Sequence, residues 1–198
     1  IMKVVLFDNG HGEDTKGKRS PDGSLLEYAY TREIVNMCAE ELELFGVKVI
    51  KLAPEKQDIS LGERCRRAKL YCNQYGTENV ILVSIHCNAA GSGQWLNARG
   101  WEVYTTPGAT KADKLATELA KVAESTLVGM KIRKDLSDGD PDKEAGFYIL
   151  VHVPCPAVLT ENLFQDNKED VEFLLSEKGK EAITKIHVEG IKNYLSIK

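Results

Sequence analysis

The chain contains 198 residues, of which 42% are hydrophobic and 28% are charged, a composition typical of globular proteins. Its 26 basic and 30 acidic side chains give a net charge of −4, which excludes the broad basic surface that nucleic-acid binding requires. No apolar run approaches the roughly 20 residues of a membrane-spanning helix, so we expect no membrane insertion. The length favours one domain that fills residues 1–198.

The first residues and the cysteines indicate neither a signal peptide nor a disulfide-stabilised fold. The segment from Ile1 to Asp8 is too short and too quickly interrupted to be a signal peptide. Five cysteines form an odd count and no CxxC pair occurs, so neither a disulfide framework nor a zinc knuckle is indicated. Any metal-binding or acid–base histidine must come from a short set: His11, His86, His152 and His187.

Apolar runs and amphipathic patterns alternate along the first half of the chain. They predict a strand at 2–7, a helix at 25–45, a strand at 47–52, a helix at 60–75 and a strand at 80–86. Ser60 and Glu63 have the spacing of a capping box at the start of the second helix.

The second half continues the alternation around a charged loop at 131–144. The patterns predict a strand at 101–105, a helix at 110–127, strands at 147–151 and 157–160, a short helix capped by Asn167 and a helix at 176–194. Strands that alternate with helices predict a single α/β domain with a mostly parallel or mixed central sheet and helices on both faces.

Polar residues lie at the carboxyl ends of three predicted strands, in the segments Asp8–Gly12, Ser84–Asn88 and Thr160–Asn162. In an open α/β sheet, functional groups collect at the carboxyl ends of the strands. Glu27, in the first turns of the first helix, adds a fourth candidate. Two histidines and a glutamate that converge from these segments would form a His₂Glu zinc site with a position left for water.

Each candidate also has an ordinary structural interpretation. His11 between two glycines could be a turn residue, and Glu27 could be a solvated helix residue. His86 could be a buried, hydrogen-bonded histidine, and Glu161 could form a cap or an ion pair. The candidates are far apart in sequence, so their spacing does not choose between these interpretations.

Together the four segments resemble a known family, the Amidase_3 group of zinc-dependent N-acetylmuramoyl-L-alanine amidases. The motifs are Asp8-Asn9-Gly10-His11-Gly12 for D-x-G-H-G, Glu27 at the head of the next helix, Ser84-Ile85-His86-Cys87-Asn88-Ala89 for S-x-H-x-N-A, and Glu161 after the strand Pro156-Ala157-Val158-Leu159. They occur in the family's order from residue 3 to about residue 195, which is nearly the whole chain.

The resemblance implies cleavage of the amide between N-acetylmuramic acid and L-alanine in peptidoglycan. It implies that His11, Glu27 and His86 bind Zn²⁺ and that Glu161 is the catalytic acid–base residue. Substrate contacts are expected from three further residues: His152, Arg19 and Asn88. We expect a monomer without a separate wall-binding domain or a nucleic-acid partner. It would act at the cell wall, after removal of a leader or by phage-type release from the cytoplasm.

Three positions depart from the family pattern without removing a ligand. Asn9 stands where many members have proline, Leu163 where many have glycine, and His152 where an arginine is common. The loop at 131–144 is longer and more acidic than the family suggests. These departures concern substrate detail more than the chemistry.

Two other functions compete with the amidase interpretation, and a third is weak. A zinc peptidase could use the same His₂Glu site and carboxylate base, so only the substrate separates it from an amidase. A non-catalytic wall-binding module would not need both the ligand set and Glu161. A nucleotide-binding protein is weakly supported, because no GxGxxG or GxxxxGK[ST] loop occurs.

Overall fold

Strands and helices alternate along most of the chain in the computed structural model, which describes residues 2–197. The strands are β1 (Val4–Asn9), β2 (Lys48–Lys51), β3 (Val80–Asn88), β4 (Glu102–Thr105), β5 (Lys143–Glu144) and β6 (Ala157–Phe164). The helices are α1 (Glu27–Leu44), α2 (Leu61–Tyr75), α3 (Ala112–Thr126), α4 (Tyr148–Val151), α5 (Lys168–Leu175) and α6 (Glu177–Leu195).

The strands form one mixed sheet in the order β2-β1-β3-β6-β4-β5. The first four run parallel to one another, whereas β4 pairs antiparallel with β6 and parallel with β5. The carboxyl ends of β1, β3 and β6 therefore lie at the same edge of the sheet. This arrangement brings together the three polar segments that the sequence separates.

Alternating side chains of the strands bury both faces of the sheet. Phe7 and Val83 contribute to a core shared with α1, α3 and α6, while Leu6 and Leu82 contribute to a second core with α2 and α4. Helices thus cover both faces, and the predicted fold class is confirmed. No helix in the described part of the chain has the length and apolar character needed to cross a bilayer.

Two helix starts follow the predicted capping chemistry. Ser60 Oγ accepts a hydrogen bond of 3.3 Å from the backbone N–H of Glu63, and Asn167 Oδ1 accepts one of 3.1 Å from that of Asp170. The carboxylate of Glu63 bonds Arg66 and Arg67 instead of returning to Ser60, so only half of the capping box forms.

Two predicted strands differ from the structure. The segment at 147–151 contains the helical turn α4, because it buries the adjacent residues Ile149 and Leu150 on one side, and neighbouring residues of a strand would point to opposite faces. The strand predicted to end at Thr160 continues to Phe164 through an irregularity in its pairing with β3. Glu161 therefore lies within β6 instead of after it.

Candidate metal centre

Three side chains with metal-binding chemistry converge at the carboxyl edge of the sheet. His11 lies in the loop after β1, Glu27 begins α1, and His86 lies near the end of β3. Nε2 of His11 lies 3.5 Å from Oε1 of Glu27, and Nδ1 of His86 lies 3.1 Å from the same oxygen. One candidate ligand atom from each residue lies within 4.8 Å of the other two.

The backbone of the β1–α1 loop is shaped around the two histidines. His11 has a φ of 63°, in the left-handed region, which costs a residue with a Cβ about 1–2 kcal/mol. Gly10 approaches His86 so closely that a Cβ at position 10 would lie 2.4 Å from Cε1 of the imidazole. Backbone strain of this kind persists only where the surrounding structure holds it, commonly at functional sites.

Arg64 of α2 holds the start of this loop through hydrogen bonds. Its guanidinium is buried, donates to Oδ1 of Asp8 at 2.5 Å and to the carbonyl of Asn9 at 2.7 Å, and reaches the carbonyl of His11 at 3.4 Å. The other carboxylate oxygen of Asp8 accepts a hydrogen bond of 2.6 Å from Ser84. Asp8 therefore connects β1 to α2 through Arg64 and to β3 through Ser84, next to the loop that carries His11.

Glu27 supplies the negative charge of the cluster and is fully buried. Burial raises the pKa of Glu27, but hydrogen bonds and charges from His11 and His86 lower it more, so the pKa lies well below its usual value. Burial lowers the pKa of His86, yet the hydrogen bond and charge of Glu27 raise it above its usual value overall. Glu27 and His86 thus favour a state in which positive charge faces the carboxylate.

The donor set fits a divalent metal ion. Oε2 of Glu27 is buried and has no hydrogen-bond donor among residues 2–197, so the carboxylate keeps an oxygen free for a cation. Two imidazole nitrogens and one carboxylate oxygen are the ligands of His₂Glu metal sites, which leave a position for water or substrate. The sequence-predicted residues His11, Glu27 and His86 are therefore brought together in a suitable arrangement.

Glu161 lies opposite His86 in the β3–β6 ladder. Its Oε2 atom is buried and has no partner within the described chain. The pKa of Glu161 is raised to about 8, mainly by burial, while the charge of His86 opposes the shift and the charges of Glu27 and Glu102 add to it. A divalent cation bound nearby would lower this pKa, because it favours the carboxylate. Such a group can exchange a proton near neutral pH.

The sequence and the fold of this chain are similar to those of known proteins. A family model described as N-acetylmuramoyl-L-alanine amidase matches residues 5–193. The chain belongs to this amidase family.

Two known proteins are similar to nearly all of this chain. The N-acetylmuramoyl-L-alanine amidase CwlM of Bacillus licheniformis is 29% identical, in an alignment that covers 96% of this chain and 68% of CwlM. The endolysin of Bacillus phage SPP1 is 27% identical, with 100% of this chain and 68% of the endolysin covered.

Solved structures agree with the family assignment. The N-acetylmuramoyl-L-alanine amidase from Clostridium difficile 630 has a TM-score of 0.82 and 26% identity, and covers 98% of this chain and 97% of its own. The catalytic domain of CwlV from Bacillus (Paenibacillus) polymyxa var. colistinus also has a TM-score of 0.82, with both chains covered completely. Because its sequence is only 24% identical, this second structure supports the fold alone.

Asn88, a predicted substrate contact of the amidase domain, lies at the end of β3. Its side-chain N–H donates to Oε1 of the buried Glu102 at 2.5 Å. Oε2 of Glu102 accepts hydrogen bonds from Arg133 and Lys143, so two cations compensate this carboxylate. Asn88 is therefore oriented by β4 and by the charged loop that follows α3.

The other two predicted substrate contacts lie in different places. Arg19 pairs with Leu26, the residue before Glu27, whereas His152 lies toward the opposite edge of the sheet. Arg19 is exposed in the β1–α1 loop, where it lines an open cleft of about 610 Å³. His152 is exposed at the end of α4, where its ring stacks on Tyr148 at a centroid distance of 3.8 Å. The residues flanking His152 line a cavity at the amino ends of β3 and β6, opposite the edge that carries His86.

Two buried polar groups have no recognisable signal in the sequence. His187, one of the four histidines of the chain, is fully buried. One ring nitrogen lies 2.8 Å from the carbonyl of Ile183, and Nε2 lies 2.9 Å from the hydroxyl of Thr160. Arg64 is the other group, and its main partner, Asp8, is 56 positions away. An arginine in the first turn of a helix gives no signal of such a contact.

Proposed function

We propose that this chain is a zinc-dependent amidase that hydrolyses the amide between the lactyl group of N-acetylmuramic acid and L-alanine in peptidoglycan. The observation that carries the proposal is the buried cluster of His11, Glu27 and His86 with Glu161 beside it, in a member of the amidase family. All four residues come from the same chain, so the proposed site needs no residue of a second subunit.

His11, Glu27 and His86 would hold the zinc ion, and the shape of the loop supports this role. Zinc supplies Lewis acidity, which polarises a carbonyl and lowers the pKa of water to about 7. The ion pair of Arg64 with Asp8 and the close approach of Gly10 hold the two imidazoles in place. This preorganisation reduces the reorganisation that metal binding and catalysis require.

Glu161 would move the proton during hydrolysis. The carboxylate accepts a proton from the attacking water as the carbon–oxygen bond forms, and it delivers that proton to the alanine nitrogen as the carbon–nitrogen bond breaks. The products are a lactyl carboxylate and a free amine. Burial beside Glu27 and Glu102 makes Glu161 a stronger base than an exposed glutamate. General acid–base catalysis of this kind contributes typically 10²–10⁴-fold.

Digestion of purified muropeptides tests the proposal. The zinc-loaded chain should release stem peptides that begin with L-alanine and leave the glycan intact, as measured by mass spectrometry. Glu161→Gln should keep stoichiometric zinc by elemental analysis while its rate falls by about 10²–10⁴-fold.

His86→Ala, the matched ligand variant, should lose both zinc and activity. Cleavage within the stem peptide would assign a zinc peptidase instead. A Glu161→Gln rate close to that of the wild type would place the proton transfer elsewhere, and unchanged zinc in His86→Ala would contradict the metal site.

A further inference from the structure

A second group of carboxylates lies at the edge of the sheet near β5, separate from the metal cluster. Asp142 precedes β5 and is only 3% exposed. Its Oδ2 atom accepts a hydrogen bond of 2.5 Å from Oγ1 of Thr105, the buried last residue of β4. The carboxyl of Asp140, two residues earlier in the same loop, is close enough to raise the pKa of Asp142.

Both carboxylates have an unsatisfied oxygen. Oδ1 of Asp140 and Oδ1 of Asp142 are buried, and neither has a hydrogen-bond partner in the described part of the chain. Two nearby cations, Arg133 and Lys143, are directed to Glu102 instead. Two adjacent buried carboxylates without donors are costly, because each loses hydration and repels the other.

Asp113, at the start of α3, adds negative charge to this region. Its own carboxylate is satisfied by the backbone N–H and the hydroxyl of Thr110, at 2.6 and 2.5 Å. The pKa of Asp142 is raised to about 7, mainly by burial; the hydrogen bond from Thr105 opposes the shift, and Asp140 and Asp113 add to it. A bound cation or a shared proton would therefore stabilise the Asp142 carboxylate in these surroundings.

We propose that Asp140, Asp142 and Thr105 form a binding site for a hard divalent cation, Ca²⁺, which joins the charged loop at 131–144 to the end of β4. Hard cations take carboxylate, hydroxyl and water oxygens, which are the groups present here. The Oδ1 atoms of Asp140 and Asp142 supply the missing ligands, since each is buried and lacks a donor in the described part of the chain.

The chemistry of this site differs from that of the His11–Glu27–His86 cluster. The second site offers oxygen atoms alone, whereas zinc prefers nitrogen or sulfur donors in part of its shell. With few protein ligands, its affinity for Ca²⁺ is expected in roughly the 10⁻⁴–10⁻³ M range. Occupation would stabilise the loop that carries Arg133 and Lys143, both of which contact Glu102.

Calcium binding by the full chain tests the proposal without reference to amidase activity. Equilibrium dialysis of the zinc-loaded protein against Ca²⁺ should give one bound ion per chain, and Ca²⁺ should raise the melting temperature. Asp142→Asn and Asp140→Asn should each weaken binding by about tenfold or more, because each removes a ligand charge. Asp138→Asn, an exposed residue of the same loop, is the matched control and should bind as the wild type does.

The same measurement separates this site from the proposed active site. His86→Ala should retain Ca²⁺ binding, whatever becomes of its zinc or its activity. Absence of Ca²⁺ binding by the wild type would overturn the proposal, as would Ca²⁺ affinities of both aspartate variants equal to that of the wild type. A gain of stability in Asp142→Asn at neutral pH, with no effect of Ca²⁺ on either protein, would show that the pair shares a proton instead.

Discussion

Gly10 is required by the imidazole beside it and not by an unusual backbone angle. A methyl group at this position would meet three atoms of the His86 ring, at 2.4, 2.5 and 2.9 Å. These distances are shorter than any contact that two carbon or nitrogen atoms tolerate. The glycine therefore determines how close the β1–α1 loop can lie to the end of β3.

Gly10→Ala should displace the His86 ring and weaken zinc binding by about tenfold or more, which competition with a chelating dye would measure. Gly62→Ala in α2 is the matched control, because nothing lies within 4 Å of its added Cβ. It should leave zinc binding unchanged and raise stability by up to about 1 kcal/mol. Equal zinc affinity in both variants would show that the His86 ring can move without loss.

At the scale of elements, α2 positions the metal cluster through a single side chain. Arg64 contacts the end of β1 and the loop that follows it, and its side chain is only 2% exposed. Removal of one partner from a buried ion pair leaves an uncompensated charge, which costs more than the loss of the contact itself.

Arg64→Met should lower the free energy of unfolding by about 3–5 kcal/mol, as measured by urea denaturation, because Asp8 would remain buried without its cation. Arg66→Met is the matched control on the same helix, since its ion pair with Glu63 is largely exposed. That substitution should cost less than about 1 kcal/mol. Addition of Asp8→Asn to Arg64→Met should recover part of the loss; a purely additive result would contradict the coupling.

The departure at Leu163 also has its explanation at the scale of elements. The pairing of β3 with β6 shifts between His86 and Asn88, where β6 contains one residue more than its partner. Leu163 lies in this bulge with a φ of 64°, a left-handed conformation that glycine adopts more readily than leucine. Its side chain is fully buried, and burial worth about 1.5–3 kcal/mol offsets the backbone strain.

At the scale of the whole molecule, α6 packs against the sheet and contacts β6 through the buried side chain of His187. Burial lowers the pKa of His187 to about 4, although its hydrogen bond with the carbonyl of Ile183 opposes the shift. The ordinary pKa of histidine in an unfolded chain is about 6.5. As pH falls below this value, the unfolded chain binds the proton before the folded one does. The contribution of His187 is therefore fully present above about pH 6.5 and is lost as pH falls toward 4.

The wild type should lose about 3 kcal/mol of stability through His187 between neutral pH and pH 4. His187→Gln cannot bind this proton, so its unfolding free energy should fall less over the same interval in urea titrations. His152→Gln, at an exposed position, should follow the pH dependence of the wild type. Parallel curves for all three proteins would contradict the assignment.

The sequence alone predicted most of the elements and the order of the candidate residues. Unbroken apolar runs predict buried strands such as β3, and side chains at known offsets predict the starts of α2 and α5, because both signals depend on neighbours within a few residues. The motifs around His11, His86 and Glu161 indicated the family for the same reason. The helical turn α4 was predicted wrongly, since four apolar residues fit either a strand or a helix.

What only the tertiary structure decided depends on partners that are distant in sequence. The distances from His11 and His86 to Glu27, the burial that raises the pKa of Glu161, and the contact of Arg64 with Asp8 all arise when the sheet brings separate segments to one edge. The unsatisfied oxygens of Asp140 and Asp142 appear only once β4 and β5 pair. Desolvation and charge interactions depend on three-dimensional surroundings, so the identities of these residues were readable from the sequence and their energies were not.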